Sequence, residues 1–176
     1  MAKPVRGIRP KKLPVAVSVR EFTALVKNAT LPHHKLAFLL AFGSGLRISE
    51  VLSVRPEQVD MDEQTIFIKE GKGCKDRVVP TPRGFRDDHL WMLPIKCGAR
   101  ALQMAFKKNA KEAGILDKKP TLHFHSLRHG FGTQCIRKGI DINKVKMLMG
   151  HESVSTTDIY IHLNPKEALD AYREKF

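Results

Sequence analysis

No stretch of this 176-residue chain approaches the roughly 20 consecutive apolar residues that a membrane-spanning helix needs. The N-terminus, MAKPVRGIRPKK, is basic but lacks the apolar segment of a secretory signal. These two absences make a cytoplasmic protein the expectation. Cysteine is scarce: Cys74, Cys97 and Cys135 are odd in number, widely separated, and form no C-x-x-C pair. Neither a disulfide framework nor a zinc knuckle is supported, and reduced thiols in a reducing compartment are expected. Internal repeats are missing as well. Acidic residues are in short supply, with 18 Asp and Glu against 31 Lys and Arg, a net charge of +13. That excess favours a polyanionic partner, because each neutralised phosphate releases condensed counterions. An anionic membrane fits less well, since the basic residues are scattered and not stacked on one amphipathic helix.

What is present reads as one soluble globular domain, 42% hydrophobic and 28% charged. Residues 1–14 hold five basic residues, no acidic one, and Pro4, Pro10 and Pro14, the composition of an extended basic arm. Either the segment is a disordered leader or it lies along phosphates, with Arg6, Arg9, Lys11 and Lys12 as the candidate contacts. Ser18–Glu21 is a capping-box pattern, and Phe22, Leu25 and Val26 follow at helical spacing, so a helix is expected at 18–28. KLAFLLAFGSG (35–45) is apolar nearly all round, the mark of a buried central helix ended by Gly43 and Gly45. LRISEVLSV opens a short helix. Thr65–Lys69 and Arg77–Val79 flank a connection rich in glycine and lysine, which predicts a β-hairpin. Residues 81–98 offer a loop with one short apolar strand around Leu90–Leu93. Helices are expected at 99–113, 126–138, 142–149, 154–162 and 165–175. The fold class is mainly α with a small antiparallel sheet (α+β).

Five separated segments carry complementary chemistry. GLRISE supplies Arg47 at a helix start. EGKGCKDR supplies Lys72 at the hairpin tip, with Lys75 and Arg77 as further basic candidates for contact with a polyanion. HSLRH supplies His125 and Arg128, one helical turn apart. LMGHES supplies His151 directly after a glycine, and TTDIYIH supplies Tyr160 nine residues later. Each alone has an ordinary structural explanation. Together, two arginines can hold both non-bridging oxygens of a phosphodiester. Histidines can move protons near neutral pH, a lysine can protonate a leaving alkoxide, and a tyrosine hydroxyl can be a covalent nucleophile. His123, His125 and His129 do not make a convincing zinc set. His125 and His129 have i, i+4 spacing, but no carboxylate or thiolate lies nearby in sequence to complete the shell. His123 is expected at a strand end.

GLRISEVLSV, GKGCKDRVVP, HSLRHGFGT and LMGHESVSTTDIYIH, in this order, resemble the signatures of the tyrosine site-specific recombinases, the phage-integrase family that includes Xer-type enzymes. The likeness runs from about Ser18 to Pro165 and implies that family's catalytic-domain fold. It implies catalytic roles for Arg47, Lys72, His125, Arg128, His151 and Tyr160. Tyr160 would attack a scissile phosphate to leave a 3′-phosphotyrosyl bond and a free 5′ hydroxyl. Arg47, Arg128 and His151 would stabilise the transition state, Lys72 would protonate the 5′ oxygen, and His125 would assist as acid or base. Glu50, one turn after Arg47, would orient that arginine or be a solvated helix carboxylate; His129 is expected to give structural support. No ATP, other cofactor or metal is implied, since guanidinium groups do the work of a cation. The partner implied is double-stranded DNA, bound by a tetramer on paired sites and by a chain that is monomeric without DNA.

The resemblance also implies an N-terminal clamp domain, for which the 17 residues before the first helix are too few. An isolated catalytic fragment or a naturally minimal form is expected, with an arm at 1–17, a catalytic domain at 18–164 and a tail at 165–176. That tail either docks on a neighbouring protomer or packs back on its own domain. The same chemistry would serve a nicking and resealing topoisomerase, and the fold alone would serve a non-catalytic DNA-binding module.

Overall fold

The computed structural model describes residues 15–69, 76–150 and 165–176. Helix α1 (Val19–Asn28) begins at Ser18, whose Oγ accepts from the Glu21 backbone N–H at 3.3 Å while Glu21 Oε2 accepts from the Ser18 N–H at 2.7 Å. This is the capping box expected from SVRE, and it satisfies two amide donors that a helix start leaves open. Lys119, 98 residues further along the chain, donates to the same carboxylate at 2.8 Å and to the Ala16 carbonyl at 3.1 Å.

Helix α2 (Pro32–Gly43) starts at Pro32, three residues earlier than the apolar run alone indicates, because proline suits the first helical position. Its Leu36, Ala37, Phe38, Leu40 and Ala41 are buried on every side. α2 packs on α7 (His125–Arg137) and on α5 (Ala99–Glu112), with the Phe38 ring edge-on to Phe106 at 6.1 Å and tilted against Phe124 at 6.0 Å. Helix α3 (Ile48–Ser53) follows α2 through Gly45.

The hairpin is present as β2 (Thr65–Ile68) and β3 (Arg77–Pro80), antiparallel, with Ile66 opposite Val79 and Ile68 opposite Arg77. A two-residue strand, β1 (Val59–Asp60), extends it to three strands in the order β1-β2-β3. Residues Ile66 and Ile68 face the core while Phe67 is exposed, the two-residue alternation of a half-buried strand.

The strand expected around Leu90–Leu93 is not there. Asp87–Leu90 forms a short helix, α4, and a turn follows in which Leu93 and Ile95 are buried but Trp91 is 91% exposed. The apolar run is thus split between core and solvent by helical and turn geometry. A further short helix, α6 (Ile115–Lys118), starts after Gly114.

A second apolar cluster joins α7, α8 (Ile142–Met149) and α9 (Pro165–Arg173) through Phe131, Cys135, Val145, Leu148, Met149, Leu169 and Tyr172. α9 therefore packs back on its own domain, against α8 and β3. The Tyr172 hydroxyl donates to the Gly43 carbonyl at 3.2 Å, and its ring stacks on Phe176 at 4.4 Å. The arm, the hairpin tip and the helix expected at 154–162 lie outside the described residues.

Candidate active site

Three elements deliver an arginine each to one carboxylate. Arg47, at the N-terminal cap of α3, places Nη1 at 2.7 Å from Glu50 Oε1, and its backbone N–H donates to Glu50 Oε2 at 2.7 Å. Arg77, from β3, donates through Nη2 to Glu50 Oε2 at 2.8 Å. Arg128, from the first turn of α7, brings Nη1 to 3.9 Å from the same oxygen. Burial would raise the Glu50 carboxyl, but the hydrogen bond from Arg77, the Arg47 amide and the two guanidinium charges outweigh it and hold the group down at about 2. Glu50 is therefore a carboxylate at all working pH values, buried to 8% exposure among cations. It is not a solvated helix residue.

The same three arginines grip the end of α8. Arg77 Nε donates to the Leu148 carbonyl at 3.1 Å, Arg128 Nη2 to the Met149 carbonyl, and Arg47 Nη2 to the Gly150 carbonyl at 2.5 Å. These are successive C-terminal carbonyls, the groups a helix leaves unsatisfied and the negative pole of its dipole. Gly150 ends α8 with φ of 61°, and an added Cβ there would stand 3.0 Å from Arg77 Nη1. Arg128 Nη1 also donates to the Gly45 carbonyl at 2.6 Å. Gly45 has φ of 69°, and a Cβ on it would meet the Phe131 ring at 2.6 Å, so only glycine presents that carbonyl to Arg128.

The arrangement brings Arg47, Arg128 and Glu50 together as one cluster, and the chain leaves it at Gly150, one residue before His151. Arg128 is buried at 1% exposure, whereas the Arg47 side chain keeps 33%. Arg77 departs from its expected place as an exposed DNA contact: it is 8% exposed and spent on Glu50 and Leu148. The strand explains this, since Arg77 shares the inward face with Val79, two residues on. Lys72, Lys75, His151 and Tyr160, with Arg6, Arg9, Lys11 and Lys12 of the arm, lie outside the described residues.

His125 is exposed at the start of α7, not on the buried side that Arg128 occupies. Its ring meets His129 edge-on at 4.7 Å and lies 6.3 Å from His123. His123 lies in irregular backbone just before α7, with Nδ1 3.1 Å from the Thr121 carbonyl oxygen, and not at a strand end. Burial first, then the charges of His123 and Arg128, push the His129 imidazole down from its ordinary value, so it stays neutral at pH 7 beside Arg128. His123, Phe124 and His125 border a cleft of about 300 Å³ with Ile48, Gln103 and Lys107. Gln103 and Lys107 were not expected at the site; they sit on the outward face of α5, and only the crossing of α5 beside α3 and the α7 entry brings them in. A cation cluster held rigid by one carboxylate, next to an exposed imidazole over an open cleft, is suited to an anionic phosphodiester.

The chain is similar in sequence and in fold to known proteins. The phage integrase family model matches residues 17–89 and 85–167. The tyrosine recombinase XerA of Pyrococcus horikoshii is 32% identical over 180 residues, covering 92% of this chain and 61% of that protein. A crystal structure of XerA recombinase superposes with a TM-score of 0.65 at 27% identity, covering 97% of this chain and 65% of that one. The integrase from mycobacterium phage Brujita gives a TM-score of 0.72 at 24% identity, covering 98% of this chain and 61% of that one. The chain spans about three fifths of the length of the curated relatives it matches. In sequence signatures and in the fold of its mainly helical domain, this chain belongs to the phage integrase family, the tyrosine recombinases.

Proposed function

We propose that this chain carries the catalytic domain of a site-specific DNA recombinase that cuts and rejoins strands through a 3′-phosphotyrosyl intermediate. The observation that carries the reading is the convergence of Arg47 and Arg128 on Glu50, at the end of the helix that leads into His151. Family membership supports it. Chains of related fold include a XerH recombinase in a post-cleavage complex with its palindromic difH substrate and a lambda integrase tetramer on a Holliday junction.

In this reading the Tyr160 phenol oxygen attacks the scissile phosphorus. One phosphoester bond forms to tyrosine and the bond to the 5′ oxygen breaks, so the number of phosphoester bonds is conserved and no ATP is consumed. Lys72 gives its proton to the departing 5′ oxygen, and His125 takes the phenol proton. Arg47, Arg128 and His151 meet the charge on the non-bridging oxygens. Glu50, Arg77 and His129 do not touch DNA; they hold the arginines and the end of α8. The arm residues Arg6, Arg9, Lys11 and Lys12, together with Lys75, contact the backbone phosphates. Rejoining reverses the attack, with a 5′ hydroxyl displacing tyrosine, and strand exchange uses a tetramer of chains on two paired sites in the cytoplasm.

The test is incubation with nicked suicide duplexes bearing the parent element's site, followed by denaturing electrophoresis. The wild-type chain is expected to give a covalent DNA adduct, and Tyr160→Phe none. An undiminished adduct with Tyr160→Phe would move the nucleophile elsewhere and defeat the assignment.

A further inference from the structure

Away from Gly45, at the opposite end of α2, three side chains from two elements meet. His33 and His34 stand in the first turn of α2, and Cys97 stands in the segment just before α5. One ring nitrogen from each histidine and Cys97 Sγ all lie within 4.8 Å of one another. The imidazoles meet edge to face, with centroids 4.5 Å apart at 70°. The His34 ring also lies over Phe38 at 6.5 Å, which is buried and braced by Phe106 and Phe124. All three side chains are half-buried, so they are partly shielded yet reachable from solvent. A helix of 12 residues, about 18 Å long, separates them from the arginine cluster.

Two imidazole nitrogens and one sulfur, from fixed elements, form the donor set of borderline-soft metals and not of magnesium or calcium. We propose that His33, His34 and Cys97 bind a divalent transition metal of the zinc class, with solvent in an exchangeable fourth position. Bond lengths of about 2.0 Å to nitrogen and 2.3 Å to sulfur put tetrahedral ligands roughly 3.3–3.6 Å apart. The side chains therefore close up by about 1 Å from the spacing in the structure, within reach of a modest χ rotation. On binding, the thiol proton passes to solvent and a metal–thiolate bond forms. The metal then ties the start of α2 to the segment entering α5. Three ligands in place of four give micromolar binding that responds to metal supply, not a permanent structural centre.

The site is independent of the DNA chemistry, so it stands or falls apart from the proposed function. The metal-stripped full chain is titrated with Co²⁺, whose thiolate complexes absorb strongly in the near-ultraviolet and whose tetrahedral complexes absorb in the visible. A one-to-one cobalt complex carrying both bands is expected, bleached by an equivalent of Zn²⁺. Zinc at a hundred times its Kd should raise Tm by about 5–11 °C. Cys97→Ser should abolish the near-ultraviolet band, and Cys97→Ser, His33→Gln and His34→Gln should each weaken zinc binding at least tenfold. Cys74→Ser and His125→Gln should leave both unchanged. Far-UV circular dichroism without metal shows whether each variant is folded, and the two histidine variants decide the matter if Cys97→Ser is not. Absence of a thiolate band in the wild type overturns the site. So does a band that survives Cys97→Ser, or zinc affinity that falls with His125→Gln and not with His34→Gln.

Discussion

In the proposed function Glu50 is a buried carboxylate that serves catalysis without touching substrate. It accepts from Arg47 and Arg77, stands 3.9 Å from Arg128, and so sets where two candidate phosphate ligands lie. Replacing it with glutamine keeps the shape and removes the charge. Glu50→Gln is expected to cost about 2–4 kcal/mol in urea unfolding, since it leaves buried guanidiniums under-compensated. It should slow adduct formation about 10–100-fold through misplacement of Arg47 and Arg128, with DNA affinity little changed. The pH dependence has a definite sign. A carboxyl held at about 2, below its ordinary 4.5, contributes stability that is full above pH 4.5 and is lost as pH falls through about 2. The stability gap between wild type and Glu50→Gln should therefore narrow as the pH is lowered from 5 to 2. A gap that stays constant over that range would show that the charge of Glu50 is not what stabilises the fold. Arg47, Glu50 and Arg128 could be singled out in the sequence because GLRISE and HSLRH are local motifs. The Glu50–Arg47 pair is one of the readings GLRISE allows, but the part Arg77 plays was not legible, since Arg77 lies 27 residues from Glu50 in sequence and the three accepting carbonyls carry no side-chain signature.

At the scale of elements, α9 closes the second core and brings Tyr172 beneath the end of α2. Tyr172 is 7% exposed, its hydroxyl is bonded to the Gly43 carbonyl, and burial pushes its ionisation well above the ordinary phenol range. It is the only other tyrosine in the chain, and it is too buried to act as the nucleophile. Tyr172→Phe is expected to retain the covalent adduct while losing about 1 kcal/mol of stability; Tyr172→Ala should lose about 3 kcal/mol or more by thermal melting. Loss of the adduct in a folded Tyr172→Phe would reassign the chemistry. Elements with strong local signals were legible: the capping box of α1, the all-round apolar α2, and the hairpin with its β-branched runs. Those decided by tertiary context were not. β1 has two residues, too few for an alternation to register, and α4 and α6 are single turns. The apolar letters of 90–93 suggested a strand, yet the chain turns there and sends Leu93 inward and Trp91 outward.

At the scale of the whole molecule, the net charge of +13 makes the proposed DNA affinity a matter of salt. Each phosphate neutralised contributes about 0.9 to the slope of log K against log salt. Removing residues 1–14, with their five basic side chains, should flatten that slope by about 3–5 and weaken binding uniformly across DNA sequences. An unchanged slope would mean that the arm does not lie on DNA. The basic excess pointed to a polyanion, but charge alone did not single out the arginines that matter, because two of them are buried. The central claim is that the Arg47 and Arg128 guanidiniums gathered at Glu50 act on the phosphate in the transition state. Single-turnover cleavage of a suicide duplex by Arg47→Ala, measured beside its equilibrium DNA affinity, tests this most directly. The account predicts a cleavage rate at least about 100-fold below wild type with Kd within about fivefold; a parallel loss of rate and affinity would contradict it and leave Arg47 as an anchor for DNA.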